Sequence, residues 1–357
     1  MAWARTAIAM LGLALGFVVV APSPAFAHGT AQVPATDYVV SVQSVEPAIA
    51  GVTVRVVDNG ARLELSNRSA MDVTVLGYDN EPYLRVGRNG VFENERSPAV
   101  YWNKQRAIAS APPPRTYNAK QPPDWHRISR GHRARWHDHR AHYMGGTPSD
   151  GTRVVLRDRV PLEIAGNNRA GAINIVVRYV PPPSALPSLL LAAGVAIALV
   201  VAARTRWWAR VLAGSLAVLV GSALAQILGE WDAVTLSLPS RLGEHAYVFA
   251  GILLGTAAFV WILMRQGSPY DATPIALLAG VALLLASGLS GLPLLVHSEL
   301  PTMYAPALER ALIATTIGAG VATVLISATR LRRPFQAGRR QESSTANAIR
   351  RSIYAEK

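Results

Sequence analysis

The chain has 357 residues, 50% hydrophobic and 16% charged, with a formal net charge of +13. So apolar a composition excludes an ordinary soluble domain, and its ordered hydrophobic pattern excludes disorder. Cysteine is absent, so disulfides, thiolate metal sites, iron–sulfur clusters and cysteine nucleophiles are excluded, and any chemistry falls to histidine, carboxylates, methionine or backbone.

At the N-terminus, Arg5 precedes an apolar run from Ala7 to Val20, and Pro22 and Pro24 lead into Ala25-Phe26-Ala27. A basic start, a short apolar stretch and an Ala-x-Ala ending describe a cleavable secretory signal over residues 1–27. Cleavage makes His28 the mature N-terminus. Its amine and imidazole can chelate one Cu(II), with another histidine completing a three-nitrogen site.

Residues 28–183 read as an exported all-β domain. Val52, Val54 and Val56, Leu63 and Leu65, Val73 and Val75, and Ile173, Ile175, Val177 and Tyr179 alternate with polar neighbours. Period-two alternation marks half-buried antiparallel strands. The tight turns between them are announced by Asp58-Asn59-Gly60 and Arg88-Asn89-Gly90. About seven to nine short strands predict a β-sandwich.

An insertion near 97–151 breaks the alternation with proline runs, three tryptophans and five histidines. Long irregular loops in compact domains are usually functional. From Lys104 to Arg140 it holds nine Lys or Arg against two Asp, a net +7. Pro181-Pro182-Pro183 then forms a short stiff neck that keeps the sandwich close over the membrane.

Residues 184–329 hold five apolar stretches, near 185–203, 210–229, 246–264, 274–297 and 307–329. Each suffices for a transmembrane helix, which needs roughly 20 residues. Gly318-Ala319-Gly320 in the last one suits close helix packing. An exported first domain places the loop from Arg204 to Arg210, with three arginines and no acid, on the cytoplasmic side. The tail 330–357, with eight basic and two acidic residues, falls there too. Glu230, Asp232, Glu244 and Glu299 lie in the outer loops against Arg241 alone. This asymmetry satisfies the positive-inside rule, so a multi-pass plasma-membrane protein with an external N-domain is expected. Gln226 alone stands out as polar at span depth.

The densest chemical constellation is His137-Asp138-His139, followed by His142 and Met144. On a strand His137 and His139 would share a face, and a turn could bring His142 round as a third ligand. Imidazole suits copper and zinc, and a thioether favours Cu(I). The alternative is an exposed aromatic and basic loop in which Asp138 pairs with Arg135 or Arg140 and the histidines simply cap hydrogen bonds. A further set, Glu230, Trp231, Asp232, Glu244, His245, His297, Glu299, Met303 and Glu309, sits at the outer membrane face, where carboxylates and imidazoles can form a metal or proton entry point; the alternative is that they cap helices and contact headgroups, with Trp231 as an interfacial anchor.

The stretches Gly77-Tyr-Asp-Asn-Glu-Pro-Tyr-Leu-Arg-Val-Gly-Arg-Asn-Gly-Val-Phe, Arg96-Ser-Pro-Ala and Trp136-His-Asp-His-Arg-Ala-His-Tyr-Met resemble actinobacterial exported multi-spanning membrane proteins. That resemblance covers the exported domain and the spans and implies no reaction. In layout, and in His28, the chain is also similar to CopC-type and CopD-type periplasmic copper proteins. This second resemblance implies a small copper-binding β-sandwich accompanying a membrane bundle.

The expectation is therefore an exported β-sandwich joined to a five-helix transmembrane bundle, handling metal at the cell envelope. Copper is expected before zinc, with His137, His139, His142, His28 and Met144 as candidate ligands. The alternative is a noncatalytic protein that docks on anionic lipid headgroups or another envelope protein through its basic loop and Trp102, Trp125 and Trp136. Export excludes nucleic acid as a partner. No Ser-His-Asp order or Walker sequence points to an enzyme, and a His-brace copper oxidase is the most distant reading.

Overall fold

The computed structural model describes residues 33–104, 112–148, 153–165, 169–264 and 269–355. The expected signal segment 1–27 and His28 lie outside the described residues. Ten strands come first: β1 Tyr38–Glu46, β2 Val52–Val57, β3 Arg62–Asn67, β4 Val73–Leu76, β5 Pro82–Gly87, β6 Gly90–Asn94, β7 Trp125–Ser129, β8 Arg133–Trp136, β9 Val154–Ile164 and β10 Arg169–Tyr179. A short helix, α1 (Pro98–Trp102), separates β6 from β7 and is capped by Ser97.

The strands form a seven-stranded sheet in the order β1-β10-β9-β4-β5-β6-β7 and a three-stranded sheet, β2-β3-β8. Every pairing is antiparallel. Leu63, Leu65, Ala134 and Trp136 from the smaller sheet meet Val73, Val75, Leu84, Val86, Val160, Leu162, Ile173, Ile175 and Val177 from the larger one in a single core. These are the alternating positions of the strands, since only every second side chain faces the other sheet.

The basic insertion is not a free loop. Its two segments β7 and β8 pair with β6 and β3 respectively, so it supplies one strand to each sheet. Trp136 pairs across from Leu63 and is buried in the core. The short alternation Arg133-Ala134-Arg135-Trp136 was masked in the sequence by its flanking prolines, glycines and charges.

Among the described residues, four helices are long and apolar enough to cross a membrane: Trp208–Trp231, Ala246–Met264, Tyr270–Val296 and Pro306–Leu331. The expectation of five is not met in full, because α2 (Leu186–Ala202) has only 17 residues. At 1.5 Å per residue it reaches about 25 Å against a hydrocarbon core of about 30 Å. The prolines preceding it limit its extension. The others are α3 (Trp208–Trp231), a short interhelical α4 (Leu238–Glu244) and α5 (Ala246–Met264). Then come α6 (Thr273–Leu283), continued by a π turn and a 3-10 segment to Val296, and α7 (Pro306–Ala355). Pro293 lacks the N–H that an α-helix requires, which accounts for the 3-10 segment from Leu289 to Val296.

Leu190, Ile197, Leu253, Leu263 and Leu325 project outward from the bundle, as lipid-facing residues do. Between the helices Gln226 has partners that the sequence did not reveal. It donates to Thr316 Oγ1 at 2.7 Å and accepts from Ser287 Oγ at 3.1 Å, while Thr316 Oγ1 bonds Ser222 Oγ at 2.8 Å. Ser215 and Thr323 form a second pair at 2.7 Å. A Cβ on Gly318 would stand 2.4 Å from the Ala192 carbonyl oxygen, so the close packing expected there holds.

The β-domain rests on one end of the bundle. Thr36 and Glu299 exchange two backbone bonds of 3.0 and 2.9 Å, and Asp37 accepts from Ser298 N at 2.9 Å and meets His297 Nδ1 at 3.2 Å. From the β2–β3 turn, the Asp58 carboxylate accepts from Thr235 N at 2.9 Å and from Thr235 Oγ1 at 2.8 Å.

Candidate metal centre

His137 directly follows β8, where the strand leaves the smaller sheet. The chain then turns at Asp138 into a 3-10 turn, His139–Ala141. The strand geometry expected for the two histidines is thus replaced by a strand end and a turn. The cause is Asp138, whose carboxylate accepts from Arg140 N at 3.0 Å and caps the turn. The same carboxylate accepts from Trp136 Nε1 at 3.0 Å and from Arg140 Nε and Nη2 at 2.9 Å each. Of the two arginines considered for Asp138, Arg140 is its partner. Arg135, together with Arg55 and Arg133, instead surrounds the buried Glu64.

The turn brings the three imidazoles together. The His137 ring centre lies 4.8 Å from that of His139 and 5.4 Å from that of His142. A metal bound at about 2.0–2.1 Å by two imidazole nitrogens would hold their ring centres roughly 5 Å apart. Met144 is exposed. Among the described residues, no group of three or more His, Asp or Glu side chains is placed to hold a metal ion.

Hydrogen bonding sets the tautomers of two rings. His137 Nδ1 donates to the Ala61 carbonyl at 2.8 Å, and His139 Nε2 donates to the Trp102 carbonyl at 3.1 Å. Carbonyls only accept, so these nitrogens carry the protons and the opposite ones keep their lone pairs. Those opposite atoms, His137 Nε2 and His139 Nδ1, are buried with no hydrogen-bond partner. Imidazole ligands of metals commonly show this division, one nitrogen held by a carbonyl and the other free to coordinate.

Burial favours the neutral form of two of the rings. Burial is the main cause pulling His137 below the ordinary histidine range, and the neighbouring His139 adds to it against the bond to Ala61. Burial likewise lowers His142, followed by His137 and His139. Neutral imidazole is the form that binds a metal.

Tyr78 closes one side of the cluster, a role that the sequence did not signal. Its hydroxyl accepts from His139 N at 3.1 Å and bonds Asn103 Oδ1, and the Arg140 guanidinium lies 4.8 Å from its ring centre. Burial raises the Tyr78 phenol far above its ordinary range. Arg140 also donates to the Leu76 and Gly77 carbonyls at 3.0 and 3.2 Å, pinning the turn to the larger sheet.

The other histidines stand apart from the cluster: His132 meets the Gly87 carbonyl, His126 lies near Glu95, and His245 packs against Trp231. Of the aromatic residues expected to enter a lipid surface, Trp136 is held in the core, and Trp125 lies under the Arg85 guanidinium at 4.7 Å. Comparisons with family models, curated proteins and solved structures find no match for this chain.

Proposed function

We propose that this membrane protein binds a transition metal, copper before zinc, at His137, His139 and His142 on the extracytoplasmic side of the cell envelope. The observation that carries the reading is the pair of buried, unpartnered lone pairs on His137 Nε2 and His139 Nδ1, each opposite a carbonyl-bonded N–H. Leaving a buried polar atom unpaired costs about 1–3 kcal/mol, and a metal ion would relieve both at once. His142, whose ring centre lies 5.4 Å from that of His137, is the candidate for a third nitrogen. An all-nitrogen set suits Cu(II) or Zn(II), and exposed Met144 is a candidate for Cu(I) capture.

The metal's role is binding or transfer, not turnover. External placement is supported by the signal-like segment 1–27 and by the arginine-rich loop and tail, and that topology requires the 17-residue α2, at about the lower limit of spanning length, to make a fifth crossing with the C-terminus inside. Reporter fusions after Val180 and after Lys357 test it: the first should report an external position and the second a cytoplasmic one. The metal reading is tested by titrating the purified protein with Cu(II) and Zn(II). One strong site, lost in a His137→Ala, His139→Ala variant, is expected.

A further inference from the structure

The His137 ring is held by a carbonyl that belongs to the turn on which the β-domain meets the bundle. That turn, residues 58–61, joins β2 to β3. Asp58, Asn59 and Gly60 have successive φ angles of 53°, 49° and 91°. Left-handed conformations in non-glycine residues are uncommon, and each persists only where its surroundings hold it.

The surroundings here come from both parts of the molecule. Within the turn, Ala61 N donates to the Asp58 carbonyl at 2.9 Å. A side chain at Gly60 would press against Val40, so the turn lies flat on β1. From the bundle, Thr235 places its N–H and hydroxyl on the Asp58 carboxylate, which is 2% exposed and also pairs with Arg62 at 3.2 Å. Asn59 Nδ2 reaches the Pro34 carbonyl at 3.1 Å and the Glu299 carbonyl at 3.4 Å. On the far side of the same four residues, the Ala61 carbonyl receives His137 Nδ1.

We propose that Asp58 is a positioning residue for the histidine cluster, so that seating Asp58 on Thr235 of the bundle sets the metal affinity at His137. The proposal rests on the metal reading above. With Thr235 in place, the turn is fixed and Ala61 presents its carbonyl to Nδ1, leaving Nε2 as the coordinating atom. Without it, the left-handed residues relax, the carbonyl shifts, and His137 loses the bond that selects its tautomer. Loss of such an outer partner typically costs about 10–100-fold in metal affinity. Linkage is reciprocal, so metal binding must tighten the contact between turn and bundle by the same factor.

The test uses the full chain in lipid nanodiscs with Zn(II), which binds imidazole without redox change. Thr235→Val and Asp58→Asn should each weaken Zn(II) binding by about tenfold. Asparagine tolerates the left-handed backbone, so the second change spares the turn's conformation. Thr235→Ser restores the hydroxyl and should return wild-type affinity. Asp37→Asn loosens the other docking contact, at His297 and Ser298, and should leave affinity unchanged. In the unmutated chain, Zn(II) should slow hydrogen exchange at the Thr235 amide by about tenfold.

Equal affinity in Thr235→Val and wild type, or an equal loss in Asp37→Asn, would overturn the coupling. So would Thr235 exchange that ignores Zn(II), a measurement that needs no variant to fold. If the wild-type chain binds no Zn(II) or Cu(II), the metal reading fails and the coupling falls with it. Wild-type binding that Thr235→Val leaves intact defeats the coupling alone.

Discussion

Replacing Asp138 by alanine should destabilise the β-domain more than any exposed substitution, and the structure sets the size. The change removes four hydrogen bonds, from Trp136 Nε1, Arg140 N, Arg140 Nε and Arg140 Nη2. It also leaves the guanidinium of Arg140, whose side chain is 13% exposed, without its counter-charge. Breaking a buried pair from one side costs about 3–5 kcal/mol. Arg140 keeps the carbonyls of Leu76 and Gly77, which places the expected loss near the lower figure. For a domain of this size about 3 kcal/mol lowers the melting temperature by roughly 6–12 °C. Thermal unfolding of the full chain in nanodiscs, followed by tryptophan fluorescence, measures it. Removing both charges as Asp138→Leu, Arg140→Met should cost much less, since replacing a buried ion pair by apolar residues is often neutral. A single-variant loss below about 1 kcal/mol, or a double variant as unstable as the single one, would refute the reasoning.

Acid should release the metal late. Because burial holds His137 and His142 below the ordinary histidine range, acid should weaken metal binding at these two rings only as pH falls through their lowered values. Burial opposes the charge on Glu64, yet bonds from Arg55 and Arg135 outweigh it and hold the carboxyl below its usual range. Its stabilising contribution is therefore present above the unfolded-state value and is lost as pH falls through the folded one, so Glu64→Gln should flatten the acid limb of a stability–pH curve. In the bundle, Gln226→Leu strips Thr316 and Ser287 of a partner and should lower detergent stability by about 1 kcal/mol, read from thermal unfolding.

Much of the β-domain was legible because alternation is a local signal. Ile173, Ile175 and Val177 read as one buried face and form one. The Asp58-Asn59-Gly60 turn was legible for the same reason, since those residue types tolerate positive φ. The strand β8 was not, because Ala134 and Trp136 are two apolar residues among arginines and only the partner β3 makes them a strand. In the membrane half, hydropathy found the apolar stretches but not the partners of Gln226, which lie on other helices.

The histidine cluster was half legible. Spacing placed His137, His139 and His142 within reach of one another, and the structure brings their rings together by a turn instead of a strand. What could not be read was the outer layer. The carbonyls of Ala61 and Trp102 are backbone atoms far away in sequence, and no residue type announces them. The buried Asp138–Arg140 pair that sets the turn read as one of two candidate pairings until the fold placed Arg135 on Glu64.

The central claim is that the two unpartnered imidazole nitrogens are metal ligands. Metal bound per chain, measured by elemental analysis of the full-length protein after equilibration with Cu(II) and removal of excess, tests it most directly. The account predicts close to one copper per wild-type chain and almost none in the folded His137→Ala, His139→Ala variant. Equal copper in the two proteins, or none in either, would contradict it.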